Sequence, residues 1–129
     1  MATITLPGCG SSRATTSSPQ ARRAYVSVMQ IFGGGETATT LMLHVYDGAL
    51  RYYSQQEAED GIYGRWFRLN VIHDVDASSQ AVFIDGVEKL WVPGRGGDSH
   101  YFKFGVYTQH NSSSCMESRW KHIRILRKD

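Results

Sequence analysis

From Tyr25 onward the chain breaks into short apolar runs closed by turn signals, and no segment sustains a helical period. Side chains that alternate with a period of two belong to half-buried strands. Tyr25–Phe32 is β-branched and aromatic and ends at Gly33-Gly34-Gly35. Thr39–Tyr46 sets Leu41, Leu43 and Val45 against Met42, His44 and Tyr46. Asp47-Gly48 is a hairpin pair, because two residues with positive φ match the twist of the flanking strands, and it leads into Ala49–Tyr53. Gln55–Gly61 is polar and acidic and reads as a loop. Arg65–Val75 sets Phe67, Leu69 and Val71 against Arg68, Asn70 and Ile72, and Asp76–Ser79 turns the chain. Ala81–Ile84 and Lys89–Val92 flank a second hairpin pair, Asp85-Gly86. Pro93–Ser99 is a Gly-rich loop, and His100–Gln109 and Arg119–Leu126 complete the series. Short strands at a spacing of about 8–12 residues predict an all-β sandwich or jelly roll over residues 25–129.

Composition narrows the function. A chain of 129 residues suits one domain, and its formal charge of +2 is too small to argue for nucleic acid. The basic stretch Arg124–Lys128 reads as a solvated strand end. Cys9 and Cys115 make no disulfide framework and have no metal-ligand spacing. The opening Met1–Gly8 lacks the apolar core of a signal peptide, and no apolar run reaches the roughly 18 residues of a membrane span. The expectation for the chain as written is a cytoplasmic protein. Asn111-Ser112-Ser113 is a glycosylation sequon, which matters only after secretion.

The most informative stretch is Tyr101-Phe102-Lys103-Phe104-Gly105-Val106-Tyr107-Thr108-Gln109. Strand alternation puts Tyr101, Lys103, Gly105, Tyr107 and Gln109 on one face and Phe102, Phe104 and Val106 on the core face. The first face is polar and aromatic along its length. It suits either an ordinary solvated surface or a sheet face that receives a polar ligand.

Tyr-Phe-Lys-x-Gly-x-Tyr-x-Gln resembles a signature of the alginate lyases, polysaccharide lyase family seven. Met29-Gln30-Ile31-Phe32 resembles that family's Gln-Ile-His segment. The plant citrate-binding protein branch is more similar still. The segments that carry this likeness are Met29–Gly33, Thr40–Leu43, Arg65–Asp74, Phe83–Gly86, Pro93–Gly97 and Met116–Lys121. The resemblance implies a concanavalin-like jelly roll whose concave sheet binds an anionic ligand. It also implies that lyases of the family neutralise a uronate carboxylate with an arginine aided by the Gln, while a His and a Tyr move the proton. Gln30, Lys103, Tyr107 and Gln109 match this pattern. Phe32 stands where the lyases often have His, and a phenyl ring moves no proton. The strand that supplies the arginine has no counterpart in the sequence.

These residues support a non-catalytic module that binds a small, citrate-like carboxylate or an acidic sugar. Its ligand-binding residues would be Gln30, His44, Arg68, Asn70, Lys103, Tyr107 and Gln109. A residual lyase using Tyr107 and Gln30 is the alternative, and a non-functional homologue is the third reading. No cofactor and no metal are expected. His73, His100, His110 and His122 lack metal spacing with an acidic or Cys partner, and Asp74, Asp76 and Asp85 sit in turns, where Asp bonds locally. No membrane or nucleic-acid partner is expected, but self-association through exposed strand edges is.

Residues 1–24 contain little that packs and are expected to form a disordered or atypical tail. Codons can be assigned to Cys9–Pro19 that, one frame over, read Trp-Gln-Phe-Glu-Gly-Tyr-Asp-Phe-Val-Pro, which resembles the family's segment ahead of its Met-Gln-Ile-Phe. The tail is therefore expected to be an out-of-frame reading that regains frame near Tyr25 or Val26. Full-length family members would be secreted or vacuolar.

Overall fold

The computed structural model describes residues 2–5, 26–35, 39–108 and 117–127. These contain ten strands and no helix: β1 (Ala2–Thr5), β2 (Val26–Gly33), β3 (Leu41–Tyr46), β4 (Ala49–Tyr52), β5 (Gln56–Glu59), β6 (Trp66–Asp74), β7 (Ser79–Ile84), β8 (Val87–Pro93), β9 (His100–Thr108) and β10 (Arg119–Lys121). They form two five-stranded antiparallel sheets, ordered β10-β1-β6-β7-β8 and β5-β4-β3-β2-β9.

The core lies between the sheets. Phe67, Leu69, Val82, Ile84, Leu90 and Val92 face it from the first sheet. Met29, Ile31, Leu41, Leu43, Val45, Leu50 and Tyr52 face it from the second. Each fully buried side chain of this kind stabilises the sandwich by roughly 1.5–3 kcal/mol relative to exposure. Both sheets keep the expected alternation, and both hairpin pairs form tight turns. Asp47 and Gly48 have φ of 46° and 80°, and Asp85 and Gly86 have φ of 50° and 84°.

The structure corrects three details. Part of the expected loop Gln55–Gly61 is the edge strand β5, because Arg51 holds Glu57 across the pair at 3.0 Å and Ala58 turns into the core. Ala2–Thr5, placed in the tail by sequence, is strand β1 between β6 and β10. The β-branched run Thr3-Ile4-Thr5 fits the gap between two strands that would otherwise leave ladder groups unpaired. The rest of the tail, residues 6–24, lies outside the described residues, as do Cys9 and Cys115. Finally, Phe102 and Phe104 face inward but stay 36% and 37% exposed. Strand β9 is the edge of its sheet, and the short β10 faces it, with Trp120 against Phe104 at 5.0 Å.

Candidate functional site

The central three strands of the second sheet, β3, β2 and β9, carry the candidate residues on the face turned away from the core. Register fixes the neighbours: Gln30 pairs with Met42 on one side and Lys103 on the other, and Phe32 pairs with Tyr101. Directly opposed residues of an antiparallel pair share a face. Strict alternation along β2 would place Ser27 with Met29 and Ile31, toward the core. A register shift between Ser27 and Met29 on both sides of β2 turns Ser27 to the outer face instead. There it pairs with His44 and Tyr107, and its Oγ accepts a hydrogen bond from Gln30 Nε2 at 3.0 Å.

The site therefore has a buried polar floor of Ser27, Gln30 and His44. Tyr107 is half-buried beside it, and Tyr101 and Lys103 stand exposed. Lys103 Nζ lies 4.8 Å above the Phe32 ring, which itself stacks on Tyr101 with centroids 6.0 Å apart. This holds the ammonium over an apolar platform, and among the described residues it makes no ion pair with a carboxylate. His44 packs edge-on to Tyr53 at 5.9 Å and tilted to Tyr46 at 6.0 Å. Burial pushes its imidazole down to about 4, so near neutral pH it offers a neutral ring and no charge. His44, expected among the ligand-binding residues, therefore brings no positive charge to an anion near neutrality.

Two cations missed by the sequence reading border this face. Arg51 pairs with His44 across the Asp47-Gly48 hairpin and engages Glu57. The guanidinium of Arg95, from the loop between β8 and β9, lies 4.9 Å over the Tyr53 ring, and the backbone N–H of Arg95 donates to Thr40 Oγ1 at 3.3 Å. Tyr53 donates its hydroxyl to the Thr39 carbonyl at 2.7 Å. Burial raises the Tyr53 phenol, and Arg95 opposes that shift. The hairpin signal alone was sufficient to find Arg51, since a two-residue turn fixes which residues face each other.

Arg68 and Asn70 are not part of this cluster. They lie on β6, on the outer face of the other sheet, because Phe67 and Leu69 take the inward positions. Arg68 borders a shallow depression with Trp66, Phe67 and Asp85 there, and its backbone N–H donates to Asp85 Oδ1 at 2.8 Å. Gln109 lies outside the described residues. Among the described residues no group of three or more His, Cys, Asp or Glu is arranged to hold a metal. They hold no helix long and apolar enough to cross a membrane.

A family model described as alginate lyase matches residues 5–127. A citrate-binding protein from Hevea brasiliensis is 47% identical over 105 residues, covering 81% of this chain and 44% of that protein. A solved alginate lyase, AlgAT5 of polysaccharide lyase family 7, superposes with a TM-score of 0.58 at 19% identity, over 85% of this chain and 48% of that one. The chain thus spans less than half the length of either relative, and the lyase likeness carries the jelly-roll fold alone. From a match across nearly its whole length and from the identity to the Hevea protein, the chain belongs to the alginate lyase family, in the branch of the plant citrate-binding proteins.

Proposed function

We propose that the outer face of β3, β2 and β9 is a non-catalytic binding site for a small carboxylate or an acidic sugar. The observation that carries this reading is the placement of Lys103 beside Gln30, next to a hydroxyl and amide floor. An ammonium attracts a carboxylate, and the Gln30 amide and the Tyr107 hydroxyl add directed hydrogen bonds. Arg95 adds positive potential at the border, whereas Arg51 is largely offset by Glu57, and an exposed field of this kind fades beyond a Debye length of about 8–10 Å. The citrate-binding relative supports the carboxylate class.

Phe32 argues for binding over turnover, since β-elimination needs a group that takes a proton and a phenyl ring has none. Titration calorimetry with citrate and with oligouronates tests the proposal. The expected result is saturable binding of at least one of them that weakens with added salt, and no unsaturated uronate product by absorbance. Absence of binding to either class overturns it. Unsaturated product that disappears in Tyr107→Phe replaces it with a residual lyase.

A further inference from the structure

At one end of the sandwich the two sheets each contribute an imidazole to the space between them. His73 is on β6 and continues the inward row Phe67, Leu69, Val71. His100 opens β9 on the side of Phe102 and Phe104. The rings meet with centroids 4.5 Å apart and planes at 89°. His100 Nε2 lies 3.2 Å from the Gly96 carbonyl, so that nitrogen carries the proton and donates. The lone pair of neutral His100 is then on Nδ1. A main-chain carbonyl that fixes the tautomer in this way is the usual outer partner of a metal-bound histidine.

A second observation lies in the same row. Gln80 pairs with His73 across β6 and β7 and with Val92 across β7 and β8, on the inward face. It is only 1% exposed, and among the described residues neither its Oε1 nor its Nε2 has a hydrogen-bond partner. A buried amide left unsatisfied costs about 1–3 kcal/mol for each such group, so its retention across the ladder from His73, whose ring meets His100, asks for a polar occupant.

We propose that His73, His100 and Gln80 form a site for one divalent transition-metal ion, with the imidazole nitrogens and the Gln80 Oε1 as ligands. A water in the ion's shell completes the coordination and accepts from Gln80 Nε2. A metal about 2.0–2.1 Å from a ring nitrogen lies about 3.2 Å from that ring's centroid. Two imidazoles sharing one ion at about 90–110° therefore have centroids about 4.5–5.2 Å apart. The observed 4.5 Å falls in that range. The neighbouring Asp74 adds negative charge beside His73, although its Oδ1 already accepts the Ala77 N–H at 2.8 Å. Nitrogen-rich neutral donors favour zinc, nickel or copper over calcium or magnesium. Such an ion would tie β6 to β9 and so clamp the two sheets together.

The test uses the untagged 129-residue chain and zinc chloride as probe. Calorimetry should give one saturable equivalent with micromolar affinity, and the thermal midpoint should rise with zinc, since a ligand that binds only the folded state stabilises it. His100→Ala and His73→Ala should each weaken binding at least tenfold, and His122→Ala should leave it unchanged. Imidazole nitrogen NMR should show His100 Nδ1 shifting on zinc addition, which keeps the test decisive if His73→Ala fails to fold. No saturable binding, or binding that survives His100→Ala with no shift at His100, overturns the proposal.

Discussion

At the scale of single residues, His44 shows how the fold sets a group's chemistry. Burial holds its folded-state pKa at about 4, below the ordinary 6.5. Between these values the unfolded chain binds a proton that the folded chain does not. Stability therefore rises with pH across that window and falls as pH drops from about 6.5 toward 4, by up to about 3 kcal/mol. Urea midpoints at about pH 4.5 and 7.5 should show this difference, and His44→Gln should remove most of it; an unchanged difference in the variant would assign the effect elsewhere. Lys103 makes the complementary case for charge. Its ammonium is exposed above Phe32, so Lys103→Ala should leave the fold intact while weakening anion affinity about tenfold, or about 1.4 kcal/mol. Calorimetry at low salt reads this directly, and equal affinity would remove Lys103 from the site.

At the scale of elements, the two hairpins share a turn chemistry but not an environment. Both glycines have φ near +80°, a conformation that a Cβ disfavours. A Cβ at Gly48 would also meet the Tyr63 ring at 3.2 Å, whereas nothing lies within 4 Å of one at Gly86. Gly48→Ala should therefore cost more stability than Gly86→Ala, about 1–3 kcal/mol against about 1 kcal/mol. The first also disturbs the turn that sets Arg51 opposite His44. Chemical denaturation of the two variants checks the order, and equal losses would mean the ring yields freely. The shift in β2 works at the same scale: one displaced residue converts Ser27 from a core position into a member of the site.

For the whole molecule, stability comes from the layer between the sheets, and the outer faces are left for binding. Phe67 is 1% exposed and central in that layer, so Phe67→Ala should cost about 3–5 kcal/mol through lost transfer energy and a residual cavity. The urea midpoint of this variant measures the cost; a loss under about 1 kcal/mol would show that the layer closes over the gap. The layer is less complete toward β9 and β10, where Phe102 and Phe104 remain partly exposed. The same open geometry lets His73 and His100 meet from different sheets.

The strands other than β1 and β5, the hairpin positions and the inward rows of β3 and β6 follow from the amino-acid order, because alternation and turn residues act over a few positions. The face shared by Tyr101, Lys103 and Tyr107 was legible for the same reason, as was the family, through its short motifs. Strand order across a sheet was not, because pairing between distant segments leaves no local trace. Arg68 and Asn70 have the same alternating pattern as Lys103 and Tyr107, yet lie on the opposite side of the molecule. Nothing along the sequence joins His73 to His100, or Arg95 to Tyr53. Those meetings and the buried amide of Gln80 arise only when distant segments close on each other and remove water from what lies between; the depressed pKa of His44 arises on the outer face, where Tyr46 and Tyr53 pack against the ring.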